Sequence, residues 1–219
     1  MKIQAILFDL DGTLVDSNAL HVKAWAQAFG EAGHSIATDA IHGQIGKGAD
    51  MLVPALLPGT DAATAQALGD KHGAIFKAHH LAQVRPFPDA HALLARVAES
   101  GRKVVLASSA SQGELEHYLD LLDARRLVAA TTSMDDVERS KPAPDIFATA
   151  LSRLERIGPD AAVAVGDSPY DIESARGAAI DTVGLRSGGF RDAALAGAVA
   201  LYDDVAALLA GFDDSPLAR

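Results

Sequence analysis

The chain reads as an α/β protein: a parallel sheet covered by helices, with a separate block of helices inserted after the first strand. Three observations predict it. Short apolar runs alternate with helical patterns from Pro86 onward, and that alternation implies parallel strands covered on both faces. Between the first apolar run and the next lie about 65 residues with helical periodicity and no strand pattern. Polar, chemistry-capable residues stand immediately after the strand-like runs, where open α/β sheets bind their ligands.

The first strand is the apolar run Ile3, Ala5, Ile6, Leu7 and Phe8, ended by Asp9-Leu10-Asp11-Gly12-Thr13. A helix follows from about Ser17 to Gly33, with Val22, Trp25, Phe29 and Ala32 on one face. Further helical pieces cover 39–45, 49–57 and 61–80, broken at Gly46-Lys47-Gly48 and at Pro58-Gly59. The alternation then begins with a helix over 88–99 and a strand over 103–107. Ser111 and Glu114 have capping-box spacing and open a helix to about Leu122. A strand over 127–131 precedes a helix that starts at Pro144 and runs to about Arg156. A strand over 161–165, a helix opened by Ser168-Pro169, and a strand over 182–185 come next. An edge strand over 198–202 and a helix over 204–210 complete the pattern, and 213–219 read as loose. The expected division is a core of residues 1–15 and 83–219 around a helical cap of residues 16–82.

Nearly half of the 219 residues are apolar, which suits a sizeable core and argues against disorder. Cysteine is absent, so neither disulfides nor thiolate metal sites are available. No signal-like segment opens the chain and no apolar run approaches a membrane span, so a soluble cytoplasmic protein is expected, without membrane attachment. The formal net charge of −10 disfavours nucleic acid as a partner. It also means that a site for an anionic substrate needs local positive charge from a metal ion, a lysine or backbone N–H groups. No feature calls for a protein partner, and a monomer is the expectation.

Asp9 and Asp11 sit two apart at the end of a buried strand, where like charges repel and lose solvation. Either a hard cation lies between them, or one carboxyl holds a proton while the other attacks an electrophile. Asp-Gly can also simply turn the chain. Ser108 and Ser109 end the second core strand, where a hydroxyl and a backbone N–H can hold phosphate oxygens, although serine is common before helices anyway. Lys141, stiffened by flanking prolines, can neutralise a phosphate or a carboxylate cluster. Asp167 follows a buried strand and a glycine at the same sheet edge. Asp171 lies in a helix's first turn, where an acid also complements the dipole. Carboxylates converging there are unfavourable without a cation, and their oxygens suit the six-coordinate shell of Mg²⁺.

Taken in order, Asp9-Leu10-Asp11-Gly12-Thr13, Ala107-Ser108-Ser109, Lys141-Pro142, and Gly166-Asp167 with Asp171 resemble the four motifs of the haloacid dehalogenase-like hydrolase superfamily. The resemblance spans the chain and implies a Rossmann-like core with an inserted C1 cap. It implies a Mg²⁺-dependent phosphatase acting on a small phosphorylated metabolite. Asp9 would be the nucleophile that forms an aspartyl-phosphate, and Asp11 the general acid and base. Ser108 and the Ser109 amide would bind phosphate, and Lys141 would steady Asp9 and the phosphoryl group. Asp9, the Asp11 carbonyl and Asp167 would hold Mg²⁺, supported by Asp171.

The insert resembles the caps of phosphoglycolate phosphatases and β-phosphoglucomutases. Lys47 in the Gly46-Lys47-Gly48 loop is the expected specificity residue, and His21 is expected to face the site from the first cap helix. The loop is closer to the phosphatase type, with no nearby arginine for a second phosphate, which favours a phosphatase over a phosphosugar mutase. Asp11 argues against dehalogenase and phosphonatase chemistry. A catalytically silent binding domain on the same fold is the alternative of a different class. The other histidines of the insert show no metal-ligand spacing, and solvated helix faces account for most of them.

Overall fold

A computed structural model describes residues 2–219. Its centre is a six-stranded sheet made of β1 (Ala5–Phe8), β4 (Lys103–Ala107), β5 (Val128–Thr132), β6 (Ala162–Gly166), β7 (Asp181–Leu185) and β8 (Ala200–Tyr202). The order across the sheet is β5-β4-β1-β6-β7-β8, and every pairing is parallel. All four residues of β1 are buried, as expected of a strand covered on both faces. The chain leaves β1 through β4 and β5 and returns to β6 on the other side. Strand order therefore reverses at β1, and a crevice opens beyond the carboxyl ends there.

Two apolar layers flank the sheet. One includes Phe8, Leu106 and Val165 and packs against α5 (Ala90–Glu99), α6 (Gln112–Leu121) and α9 (Val205–Ala210). The other includes Leu7, Val105 and Ala164 and packs against α7 (Asp145–Ser152) and α8 (Pro169–Gly177). Both α6 and α8 begin with complete capping boxes, Ser111 with Glu114 and Ser168 with Asp171.

The helices after the first strand are α1 (Asn18–Glu31), α2 (Thr38–His42), α3 (Ala49–Leu56) and α4 (Ala62–His79). Trp25, Phe29, Leu52 and Leu68 gather there in a cluster of their own. At the passage between this block and the sheet, β2 (Val15–Asp16) pairs antiparallel with β3 (Arg85–Pro86). A two-residue ladder has no periodicity to read, so the sequence gives no sign of it.

Two expectations are corrected. Residues 213–219 are not loose: Pro216 and Leu217 are buried, Ile3 donates its N–H to the Arg219 carbonyl, and Arg102 donates to that of Ala218. α7 ends at Ser152 instead of about Arg156. Arg156 takes a left-handed φ of 64° beyond that end, and Leu154 and Ile157 pack against the sheet layer. Phe147 of α7 is fully buried in that layer, so Phe147→Ala is expected to cost about 3–5 kcal/mol of stability. Urea unfolding followed by circular dichroism checks this.

Candidate active site

The carboxyl ends of β1, β4 and β6 bring the polar residues together. A cavity of about 490 Å³ opens there between the sheet and the helical block, and its lining includes Asp9, Asp11, His21, Lys47, Ser108 and Ser109. Lys141, Asp167 and Asp171 are buried beside Asp9 and do not reach the lining. All nine residues singled out from the sequence thus stand in or next to one crevice.

Lys141 organises the buried part. Its Nζ donates to Asp9 Oδ1 at 2.6 Å, to Asp171 Oδ1 at 2.7 Å and to the Ala107 carbonyl at 3.1 Å. Burial alone would favour a neutral amine, but Asp171 and Asp9 outweigh it and raise the Lys141 pKa. Asp171 Oδ2 accepts from the Ser168 N–H and hydroxyl, so both of its oxygens are engaged. Asp167 is held by Thr13 Oγ1 at 2.8 Å and by Asn18 Nδ2 at 3.0 Å. A side chain at Gly12 or Gly188 would collide with Asp167, and Gly12 also has a φ of 77°.

Asp9, Asp167 and Asp171 each offer a carboxylate oxygen within 4.8 Å of the others. Three carboxylates face one ammonium, and two of them, Asp9 and Asp167, have raised pKa values. Burial pushes Asp9 well above the usual carboxylate range; Lys141 pulls it down, and Asp171 and Asp167 push it up again. Burial and Asp171 raise Asp167 to about 7, against the pull of Thr13, Asn18 and Lys141. The buried Asn18 Oδ1 also lacks a hydrogen-bond partner. Clustered hard oxygen donors with excess negative charge fit a divalent cation such as Mg²⁺.

Asp11 lies apart from this cluster. Its Oδ1 faces Ser17 Oγ at 2.6 Å, Tyr118 OH at 2.9 Å and His21 Nε2 at 3.1 Å. Burial raises its pKa, but His21, helped by the hydrogen bonds of Ser17 and Tyr118, brings it below the usual value. The Asp11 side chain therefore does not join the metal-ligating group, and only its carbonyl is left for the ligand role that the family resemblance suggested.

His21 lines the cavity. Burial lowers its pKa, and Asp11 more than restores it. Its other nitrogen lies 3.2 Å from His72 Nε2. Burial, with help from His21, lowers His72 well below the ordinary histidine value. His72 lines the cavity and stacks on Trp25, so it is no solvated helix-face residue. Ser108 Oγ accepts from the Ala110 N–H at 3.0 Å, and Ser109 Oγ donates to the Gly46 carbonyl at 3.2 Å. Lys47 donates to Gln44 Oε1 at 2.7 Å and stands 4.3 Å from the Tyr170 ring centroid; burial lowers its pKa against the opposing pull of Glu173.

Sequence reasoning missed Thr13, Ser17, Asn18, His72 and Tyr118. Thr13 closes the acidic motif and Ser17 follows it, and both were legible as hydroxyls near carboxylates. Asn18 opens α1 and was legible only by that nearness to the motif. Tyr118 shares a buried helix face with Leu115 and Leu119, which marks it as core. His72 is 51 residues from His21 and carries no local signal.

A parallel α/β sheet with a carboxylate–lysine cluster at its switch point defines a ligand site of the kind open α/β sheets carry. The family described as haloacid dehalogenase-like hydrolase matches residues 6–185, and the chain belongs to it. The phosphoglycolate phosphatase of Rhodospirillum rubrum is 29% identical over 94% of this chain and 89% of its own. The fructose-1-phosphate phosphatase YqaB of Escherichia coli is 28% identical over 84% and 97%. The crystal structure of a hydrolase from Pseudomonas syringae superposes with a TM-score of 0.89 at 29% identity, covering 96% of this chain and 98% of that one.

The raised pKa of Asp167 sets a pH dependence. A carboxyl group at about 7 in the folded state and near 3.8 when unfolded contributes stability that is complete below 3.8. That contribution is lost as pH rises through 7. Without divalent cations the melting temperature should therefore fall between pH 5 and pH 8. Added Mg²⁺, which competes with protons for the same oxygens, should raise it more at pH 8 than at pH 5. Thermal scans in chelator and in Mg²⁺ at both pH values check the sign.

Proposed function

We propose that the protein is a Mg²⁺-dependent phosphatase that hydrolyses a small phosphate monoester through an aspartyl-phosphate on Asp9. The observation that carries this reading is the pairing of Asp9 with buried Lys141 at 2.6 Å, on the wall of a cavity that Asp11 also lines. The names of the relatives support the substrate class, which we take to be of the phosphoglycolate or sugar-phosphate type.

In this mechanism an Asp9 oxygen attacks phosphorus while the ester oxygen leaves, and Asp11 gives that oxygen a proton. Asp11 then takes a proton from water as the water oxygen attacks phosphorus. This frees Asp9 and yields alcohol and inorganic phosphate. Lys141 keeps Asp9 oriented, and the Ser108 hydroxyl and Ser109 amide bind phosphoryl oxygens. Asp9, the Asp11 carbonyl and Asp167 would hold Mg²⁺, with Asp171 supporting them through Lys141. The ion supplies charge neutralisation for the phosphoryl group. Residues 16–82 act as the cap over a core of 1–15 and 83–219, excluding water and selecting the leaving group. The protein works as a monomer on a freely diffusing metabolite.

Steady-state hydrolysis of p-nitrophenyl phosphate tests the reading: turnover is expected with Mg²⁺ and none in chelator. Lack of turnover in both conditions would sink it. Asp9→Asn should lower kcat by at least about 10³-fold with folding intact. Lys47→Ala should shift relative kcat/KM across a panel of sugar phosphates and phosphoglycolate by about tenfold. Its rate with p-nitrophenyl phosphate should change less.

A further inference from the structure

Three hydrogen-bonding groups from three places meet at one oxygen of Asp11. Ser17 comes from the segment after β2, His21 from α1 and Tyr118 from α6. Among the described residues, none donates a hydrogen bond to Asp11 Oδ2. Tyr118 is fully buried and its ring belongs to the core, so its hydroxyl has little freedom to turn elsewhere. His21 is fixed as well, stacked on Phe76 at 3.8 Å between ring centroids and bonded to His72. With the His21 tautomer that donates from Nε2, Oδ1 accepts from three donors and has no room for a hydrogen of its own, because that hydrogen would point at another donor. A proton carried by Asp11 must then sit on Oδ2.

We propose that Tyr118 is a positioning residue for Asp11: its hydroxyl, anchored in the core, holds Oδ1 and so makes Oδ2 the oxygen that exchanges protons with the substrate. This rests on the phosphatase reading above and adds to it a residue in none of the four sequence motifs. Tyr118 touches neither the phosphoryl group nor the leaving group; it acts through Asp11. Loss of its hydroxyl leaves Ser17 and His21 on Oδ1 but removes the donor least able to move. The carboxylate can then rotate, and the proton is delivered less often along the productive direction.

The test uses leaving groups of different need. An alkyl phosphate such as glycerol phosphate expels a poor leaving group that requires a proton, whereas p-nitrophenolate departs without one. kcat/KM reports the step in which the leaving group departs. Tyr118→Phe, which keeps the ring, should lower kcat/KM for the alkyl phosphate about tenfold or more and for p-nitrophenyl phosphate less than about threefold. 3-Fluorotyrosine at position 118, which keeps the ring and its O–H, should restore the ratio. A crystal structure of Tyr118→Phe should show the Asp11 carboxylate rotated or in two orientations.

Equal losses on both substrates would mean a merely structural role and would overturn the proposal. So would an unchanged rate ratio with an unmoved Asp11. A wild-type protein that hydrolyses neither substrate would instead refute the phosphatase reading, and the variant's crystal structure would still decide whether Tyr118 holds Asp11.

Discussion

The ion pair of Lys141 with Asp9 and Asp171 is the constraint on which the rest of the site depends. An ammonium with no solvent exposure is tolerable only when its protons are all met, and here the three acceptors are two carboxylates and a backbone carbonyl. Each partner comes from a different part of the sheet edge: Asp9 from the end of β1, Ala107 from the end of β4, Asp171 from the first turn of α8. Removal of Lys141 would leave two buried carboxylates without their cation, a change that typically costs about 3–5 kcal/mol. The cluster thus ties the ends of β1 and β4 to the start of α8. It also gathers three carboxylates around a single ammonium, a set of oxygen donors that fits a cation.

Asp9 and Asp11 begin as equivalent residues in one short motif and end in opposite environments. Asp9 points toward Lys141 among other acids, where burial and repulsion raise its pKa. Asp11 points toward His21 and two hydroxyls, where the balance lowers it. The end of the strand explains the divergence: residues two apart share a face only while a strand continues, and β1 ends at Phe8. Beyond it the chain turns, with the Leu10 carbonyl accepting from the N–H groups of Thr13, Leu14 and Val15. The turn sends Asp11 toward α1 and α6 and leaves Asp9 with the sheet.

What the sequence revealed follows from the range of the interactions. The parallel sheet was legible because β1, β4 and β6 are continuous apolar runs, and the helix starts at Ser111 and Ser168 because capping is local. The convergence of Asp9, Ser108 and Asp167 was legible because topology alone places strand ends together. Side-chain direction was not. The sequence suggested the Asp11 carbonyl as a metal ligand and its side chain as an acid, but nothing local says that this side chain turns to Tyr118, 107 positions away. His72 and Tyr118 looked like a helix-face polar residue and a core aromatic because their partners lie in other elements. The packed residues 216–219 looked loose for the same reason: Ile3 and Arg102, which bond the Arg219 and Ala218 carbonyls, lie far away in sequence.

The helical block meets the sheet domain through contacts that lead back to the same lysine. Asp50, in the first turn of α3, accepts from the Ser140 N–H at 3.0 Å and hydroxyl at 2.5 Å, and Ser140 Oγ accepts from the Gly48 N–H at 2.9 Å. A Cβ at Gly48 would stand 2.7 Å from that of Ser140, so the approach requires glycine. Ser140 is the residue before Lys141. The loop that carries Lys47 is therefore fastened one peptide bond from the ammonium that holds Asp9. Since Asp50 accepts hydrogen bonds from both groups of Ser140, moving the loop away would leave that buried serine's N–H in need of a new acceptor. The helical block and Lys141 are thus joined by three hydrogen bonds to Ser140 and one peptide bond.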